Sequence, residues 1–345
     1  MPEILRTPFR GASAWTREDM ERDSSWRYFL SAEEVQELQE AVRAASATGL
    51  ALDEIDKQHF PLRTLAGRIE RLAEELESGR GFEMWSGLPV GEWTVEERGL
   101  AYWGIGRYLG RPVVQNARGE LFGHVVDSTG TDPQTNANSR FYHTNHAAPF
   151  HVDGADIVGL MCVRTAKAGG ASLVVSSTSI YNRLLTEHPE LIESMYEPLW
   201  FDHRGELNAV TGKPYWETSI AGWINDKLSI MYLRNFIESA QRYEGAPQLS
   251  DAHRRLLDLI DGYAKGPELC LSMDFRPGDI QWLNNHVTLH SRTGFTDWDA
   301  PDQKRWLMRL WLNQNKRDRF TETYGFYGIA VNPQPQAEPA VAASV

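Results

Sequence analysis

The 345-residue chain is 41% hydrophobic and 24% charged, the composition of a globular protein. No apolar run approaches the roughly 20 residues that span a bilayer, and "MPEILRTPFRGASAW" lacks the pattern of a secretory signal, so we expect no membrane partner. The formal charge of −12 argues against nucleic-acid binding and favours a small-molecule partner, while homo-oligomerisation stays open.

The amino-terminal third carries three helix patterns. The segment "SAEEVQELQEAVRAA" opens with Ser31 and has Glu34 three residues later, a capping box followed by apolar residues at helical spacing. A second amphipathic helix is predicted over residues 62–79. A third is predicted from Thr94, where Glu97 repeats the capping pattern.

From about residue 120 the pattern changes to short β-rich segments separated by turn residues. They are "LFGHVV", "DIVGLMCV", "ASLVVSS", "KLSIMYL", "LCLSMDF", "DIQWL" and "WLMRLWLN". Many short strands without regular intervening helices favour a sandwich or barrel-like sheet over a parallel α/β fold. Helical inserts are predicted at 177–197 and 250–265.

Neither an internal repeat nor a long Pro/Gly/Ser linker divides the chain. We therefore predict one domain over residues 1–330, with the helix-rich third packed on a β-rich part that begins at about residue 80 to 120. The Pro- and Ala-rich tail over 331–345 is expected to be disordered. The two cysteines, Cys162 and Cys270, are expected to be reduced thiols in the cytoplasm.

The segment "PFHVDG" places His151 and Asp153 two positions apart, which on a strand would put both on one face. An imidazole and a carboxylate together suit Zn, Fe or Mn. With 10 His and 47 acidic residues, about 1.4 such H-x-[DE] pairs are expected by chance. A second pair, His188 and Glu190, precedes an apolar run and is interpreted as a helix start. The first pair alone is therefore weak support for a metal site.

A second motif, "RPGDIQWLNNHVTLHSRTGF" over residues 276–295, has a turn, a strand, an Asn-rich bend and a strand that carries His290. Arg305 and Arg309 follow, four residues apart, so that on a strand they share one face. Arginines within an apolar strand need an anion, which is either a ligand or a core carboxylate.

Together these motifs resemble the TauD/TfdA family of Fe(II)/2-oxoglutarate-dependent dioxygenases, which are clavaminate synthase-like. The resemblance runs from about Asn145 to Asn313. It implies a mainly β fold with flanking helices (α+β), in which a double-stranded β-helix, or jelly roll, forms the core of a catalytic domain.

The resemblance implies that His151, Asp153 and His290 bind Fe(II). The family spacing N-x-x-x-x-H, counted from Asn285, selects His290 over His286.

It also implies that an arginine binds the distal carboxylate of 2-oxoglutarate. Arg305 is preferred for this role, and Arg309 is either the alternative or a contact to substrate. Ser172 stands where a threonine of the family often helps to bind this carboxylate.

The implied activity is oxidation of an unactivated C–H bond of a small molecule, with consumption of 2-oxoglutarate and O2 and release of succinate and CO2. Family halogenases lack the carboxylate ligand, so Asp153 argues against halogenation. Hydroxylation, desaturation, cyclisation and epoxidation all stay open. The residues alone also allow a zinc-dependent hydrolase or an inactive metal-binding module on the same fold.

Polar and aromatic residues precede the first metal ligand in "SRFYHTNHAAPFHVDG", and loops beside a rigid scaffold often bind substrate. Tyr142, His143 and Asn145 are the substrate-binding candidates, with Asn145 preferred. Arg204 and Arg234 are weaker candidates for an anionic substrate.

Overall fold

The computed structural model describes residues 3–128 and 141–314. The expected disordered tail over 331–345 lies outside these residues, and the extent of a single domain over 1–330 stays a prediction. Helices and strands are numbered here in chain order. The helices are α1 (Arg17–Arg22), α2 (Ala32–Thr48), α3 (Thr64–Ser78), α4 (Val95–Leu109), α5 (Ser177–Glu187), α6 (Arg234–Ala240) and α7 (Asp251–Lys265).

Strands outnumber helices in the carboxy-terminal two thirds. The strands are β1 (Arg27–Phe29), β2 (Phe82–Ser86), β3 (Arg111–Pro112), β4 (Phe122–Val125), β5 (Ala148–His151), β6 (Ile157–Arg164), β7 (Ala168–Gly169), β8 (Ser172–Ser176), β9 (Leu199–Asp202), β10 (Tyr215–Thr218), β11 (Ala221–Ile224), β12 (Lys227–Ile230), β13 (Leu271–Met273), β14 (Ile280–Asn284), β15 (Thr288–Arg292), β16 (Phe295–Thr296) and β17 (Trp306–Asn313).

Two sheets form the core. The major sheet has the order β1-β2-β14-β6-β17-β3, with β4 also paired to β17, and the minor sheet has the order β13-β8-β15-β5. Strands that neighbour each other in space are far apart in sequence, and nearly all pairs in both sheets are antiparallel. The predicted mainly β jelly-roll core with flanking helices is confirmed.

Helices α3 and α4 pack on the major sheet, and α2 packs on both of these helices. The capping boxes predicted at Ser31 and Thr94 are present, because each hydroxyl accepts from the backbone N–H three residues later. Apolar side chains of these helices share one buried cluster with residues of β14 and β17, including Leu38, Leu72 and Trp282. The helix-rich third therefore covers one face of the major sheet. Residues on the opposite face of this sheet line the candidate site.

One predicted helix is shorter than expected. The insert predicted over 177–197 is helical only in α5, which ends at Glu187, and two short 3-10 turns follow. Proline disfavours helical backbone in the residue before it, so Pro189 ends the helix at His188. The other insert, predicted over 250–265, forms α7. In the part of the chain that is described, no helix is long and apolar enough to cross a membrane.

Gly159 in β6 is a point where helix α4 and the major sheet approach closely. A Cβ added there would overlap the Tyr102 hydroxyl and the Trp282 ring. We expect Gly159→Ala to lower the free energy of unfolding by about 1 to 3 kcal/mol, the usual cost of overpacking a core. Urea denaturation measures the change, with Gly91→Ala as the control because a Cβ at Gly91 meets nothing within 4 Å. Equal stability of the two variants would contradict this packing.

Candidate active site

Two histidines face each other on adjacent strands of the minor sheet. His151 is the last residue of β5, and its Cα is paired with that of His290 in β15. The centroids of the two imidazole rings lie 4.3 Å apart. Directly opposed residues of antiparallel strands project from the same face, so this register alone brings the two rings together.

Asp153 does not lie on a strand, contrary to the sequence prediction, because β5 ends at His151. The loop that follows is held by the Asn-rich bend before β15. The Asp153 backbone N–H donates to Asn285 Oδ1 at 3.0 Å, and Asn285 Nδ2 donates to the Ala155 carbonyl at 2.7 Å. The carboxylate therefore reaches the histidines through a loop that a distant asparagine fixes.

One nitrogen of each histidine and one oxygen of Asp153 lie within 4.8 Å of one another. Burial alone would raise the pKa of Asp153, but Arg309 and the two imidazoles hold it below its usual value. Burial lowers the pKa of His151, and burial together with His151 lowers that of His290 to about 3. Two neutral imidazoles and a carboxylate are the protonation states that a divalent cation requires, so this donor set fits iron.

His286, the alternative histidine, binds a different carboxylate. Its Nε2 lies 3.0 Å from Asp156 Oδ1, and both side chains are buried. Asp156 Oδ2 also accepts the backbone N–H of Gln314 at 2.8 Å. His286 thus belongs to a separate buried polar pair, as its spacing from Asn285 suggested.

A cavity of about 150 Å³ lies beside the three candidate ligands. Its wall is largely apolar, but five arginines contribute to it: Arg204, Arg234, Arg292, Arg305 and Arg309. Among the lining residues of the described ranges, Asp153 supplies the only carboxylate. The cavity is therefore positively charged within a chain whose net charge is negative, which favours ligands that carry negative charge.

Arg305, just before β17, and Arg292, at the end of β15, lie against the same phenylalanine. Their guanidinium carbons are 5.1 and 4.8 Å from the centroid of the Phe295 ring. Burial lowers the pKa of both, and Arg305 adds to the effect on Arg292, whose pKa falls to about 10. Arg305 Nη1 and Arg292 Nε are buried and make no hydrogen bond with any residue of 3–128 or 141–314. Buried donors without acceptors are costly, so this corner fits an anion.

Ser172 lies in the cavity wall on β8, near this corner. Its hydroxyl donates to Gln281 Oε1 at 2.9 Å, and Gln281 Nε2 lies 3.2 Å from Met273 Sδ. A hydroxyl has a single proton, so Ser172 would have to release Gln281 before donating to an anion.

Arg309, the alternative anion-binding residue, already has acceptors. Its Nη1 donates to Asp153 Oδ1 at 3.2 Å and its Nε donates to Gln115 Oε1 at 2.9 Å. The guanidinium carbon also lies 4.7 Å from the Tyr142 ring centroid and 4.6 Å from that of Trp311. The two arginines that the sequence could not distinguish therefore have different surroundings.

Of the three substrate candidates, Tyr142 lines the cavity. His143 and Asn145 are not part of its wall. His143 packs on Tyr142 with its Nδ1 3.2 Å from Ser128 Oγ, and the Asn145 carbonyl accepts the Phe295 backbone N–H at 3.1 Å. The structure thus does not place Asn145 in the cavity wall, where the sequence prediction expected it, and its backbone is bonded to the start of β16.

Sequence reasoning missed Gln115 and Arg292. Arg292 could have been found, because it lies two residues after His290 on the same face of β15. Gln115 follows β3 and has no such signal. Arg234, a weaker candidate for an anionic substrate, lines the cavity. Its guanidinium forms ion pairs with the carboxylates of Glu238 and Asp258, each at 2.8 Å.

Comparison of the sequence with known protein families supports the interpretation of this site. The sequence profile described as "Taurine catabolism dioxygenase TauD, TfdA family" matches residues 41–311. The chain belongs to this family. It is therefore a TauD-family non-haem iron oxygenase. The predicted recognition and fold are confirmed, and the predicted enzyme class is confirmed as far as an iron oxygenase of this family.

A curated relative and two solved structures extend the comparison. The chain is 35% identical to FR-33289 synthase of Streptomyces rubellomurinus over 323 residues, which cover 93% of this chain and 94% of the relative. Asparagine oxygenase in complex with Fe(II), 2S,3S-3-hydroxyasparagine and succinate superposes with a TM-score of 0.65 at 15% identity, covering 84% and 94% of the two chains. The iron oxygenase OrfP in complex with Fe and alpha-ketoglutaric acid gives 0.61, at 15% identity and the same coverage.

Removal of single histidines tests the metal centre. His290→Ala should lose tight binding of Co(II), a visible substitute for Fe(II), because one of three ligands is gone. His286→Ala should bind Co(II) like the unsubstituted chain, since that imidazole pairs with Asp156. Absorption titration of the apoprotein measures both, and thermal unfolding checks that each variant is folded. Loss of the metal in His286→Ala but not in His290→Ala would contradict the triad.

Proposed function

We propose that the chain couples the oxidative decarboxylation of 2-oxoglutarate to oxidation of an unactivated C–H bond of a small molecule, releasing succinate and CO2. The observation that carries this proposal is the buried Arg305, whose Nη1 has no acceptor among the described residues and which lines the same cavity as the iron ligands. The chemistry of a zinc hydrolase requires the metal and an activated water but no anionic co-substrate, so it does not by itself account for this site.

In this proposal His151, Asp153 and His290 hold Fe(II). Three protein ligands of this kind would leave the iron open to further ligands, and the iron together with 2-oxoglutarate would supply the oxidation chemistry. The protein's part is geometric. The strand register holds the imidazoles, Asn285 holds the loop of Asp153, and the apolar wall limits access of water.

We assign the distal carboxylate of 2-oxoglutarate to Arg305 rather than to Arg309. Arg309 already donates to Asp153 and Gln115, whereas Arg305 has a buried donor without an acceptor in the described chain. Arg292 adds a second positive charge beside Phe295, and Ser172 could add a hydroxyl donor by releasing Gln281. A carboxylate bound here would accept hydrogen bonds that otherwise remain unmade.

The substrate is proposed to bind in the remaining part of the cavity. Tyr142, Phe236 and Leu233 give that part an apolar surface. The solved relatives bind hydroxyasparagine and hydroxyarginine, which supports a small-molecule substrate. Asp153 would supply the carboxylate ligand that halogenases lack, so we propose hydroxylation, desaturation, cyclisation or epoxidation rather than halogenation.

We also infer a cytoplasmic location. Cys162 and Cys270 are free thiols, and burial raises the pKa of Cys162 to about 12, which keeps it protonated and inert. Unbridged cysteines fit a reducing compartment.

Anaerobic reconstitution tests the proposed function. Fe(II) and 2-oxoglutarate added together to the apoprotein should give a weak metal-to-ligand charge-transfer band in the visible range, and admission of O2 should release succinate. Neither signal should form with Zn(II). Metal-dependent hydrolysis without succinate would support the zinc hydrolase, and a band without any succinate would support an inactive binding module.

Arg305→Ala should raise the KM for 2-oxoglutarate by roughly 10- to 100-fold, because hydrogen bonds to charged groups are worth about 1.5 to 3 kcal/mol. Steady-state succinate release measures the change. Arg22→Ala, which removes an exposed arginine of α1, is the control and should leave KM unchanged. An unchanged KM in Arg305→Ala would show that another residue binds the co-substrate.

A further inference from the structure

We propose that Gln115 and Arg309 are positioning residues that hold the Asp153 carboxylate in one orientation for the metal. The inference deepens the proposed function and rests on it. Asp153 lies on a loop rather than a strand, so its side chain lacks the support that strand pairing gives His151 and His290. Groups around a metal ligand commonly orient it, and in this site two side chains are arranged to do so.

The Gln115 amide is fixed by three hydrogen bonds. Its Nε2 donates to the carbonyls of Leu121 at 2.8 Å and of Arg309 at 2.9 Å, and its Oε1 accepts from Arg309 Nε at 2.9 Å. A flipped amide would place its oxygen against two carbonyls, so only one orientation satisfies the group. Gln115 is buried, which makes each of these bonds costly to lose.

The guanidinium of Arg309 is fixed in turn. Gln115 holds its Nε, and the rings of Tyr142 and Trp311 lie against it. Its Nη1 then reaches Asp153 Oδ1 at 3.2 Å. A planar fork held in this way restrains rotation of the carboxylate that it contacts, which a flexible ammonium would not do.

Gly123 leaves the space that this arrangement needs. It pairs with Arg309 between β4 and β17, and a Cβ at this position would lie 2.5 Å from Gln115 Oε1 and 3.3 Å from Arg309 Nε. Any larger residue would displace the amide or the guanidinium. The backbone and the two side chains therefore form one packed unit that ends at the metal ligand.

A positioning role and an effect of charge alone predict opposite changes in metal affinity. A guanidinium near a divalent cation repels it, so mere loss of charge should tighten metal binding, and changes that keep the charge should have no effect. If orientation matters, changes that keep the charge but loosen the unit should weaken metal binding.

Two such variants are available. Arg309→Lys keeps the charge but removes the fork, and Gln115→Leu keeps the size but removes the amide. Each should weaken binding of Co(II) to the apoprotein by about 10-fold, the lower end of what loss of a ligand-orienting partner costs. The Co(II) absorption spectrum should also change, while the KM for 2-oxoglutarate should stay within about twofold, because Arg305 is untouched.

Gly123→Ala against Gly91→Ala is the matched pair. The first forces the amide aside, the second adds the same methyl group in open space, and only the first should weaken Co(II) binding. This pair also carries the test if Gln115→Leu does not fold.

Unchanged or tighter Co(II) binding in Arg309→Lys and in whichever of Gln115→Leu and Gly123→Ala folds would overturn the proposal. A different outcome would contradict the proposed function, namely that the unsubstituted chain binds Co(II) but releases no succinate with Fe(II).

Discussion

The register between β5 and β15 is the constraint on which the site depends. It sets His151 opposite His290, and a slip of one residue would send one of the imidazoles to the other face of the sheet. The same two segments also fix the third ligand, because Asn285 in the bend before β15 holds the loop that follows β5. The geometry of the candidate metal site thus follows from how two segments more than 130 residues apart contact each other.

The arginines that line the cavity fall into two groups according to their hydrogen-bond acceptors. Arg305 and Arg292 are buried against Phe295 with donors that no residue of the described ranges accepts, which suits the negatively charged end of a co-substrate. Arg309 instead donates hydrogen bonds to Asp153 and Gln115. These two arginines, one just before β17 and one within it, therefore have different surroundings, and we propose different roles for them.

The sequence predicted the elements that depend on local patterns. Capping boxes predicted the starts of α2 and α4, and "WLMRLWLN" coincides with β17. It also predicted, through motifs that the family shares, that His151, Asp153 and His290 lie together, and the structure brings them within 4.8 Å of one another. The sequence could not predict that Asp153 lies on a loop, nor that Asn145 lies outside the cavity wall, because the backbones of both are bonded to residues over 130 positions away. Gln115 was missed for the same reason.

Anaerobic crystals grown with Fe(II) and 2-oxoglutarate, with anomalous data at the iron edge, would test the central claim most directly. The structure predicts one iron peak at roughly 2 Å from ring nitrogens of His151 and His290 and from an oxygen of Asp153, as is usual for such ligands. A carboxylate should lie within hydrogen-bonding distance of Arg305. An iron peak between His286 and Asp156, or a co-substrate bound to Arg309 with Arg305 uninvolved, would contradict it.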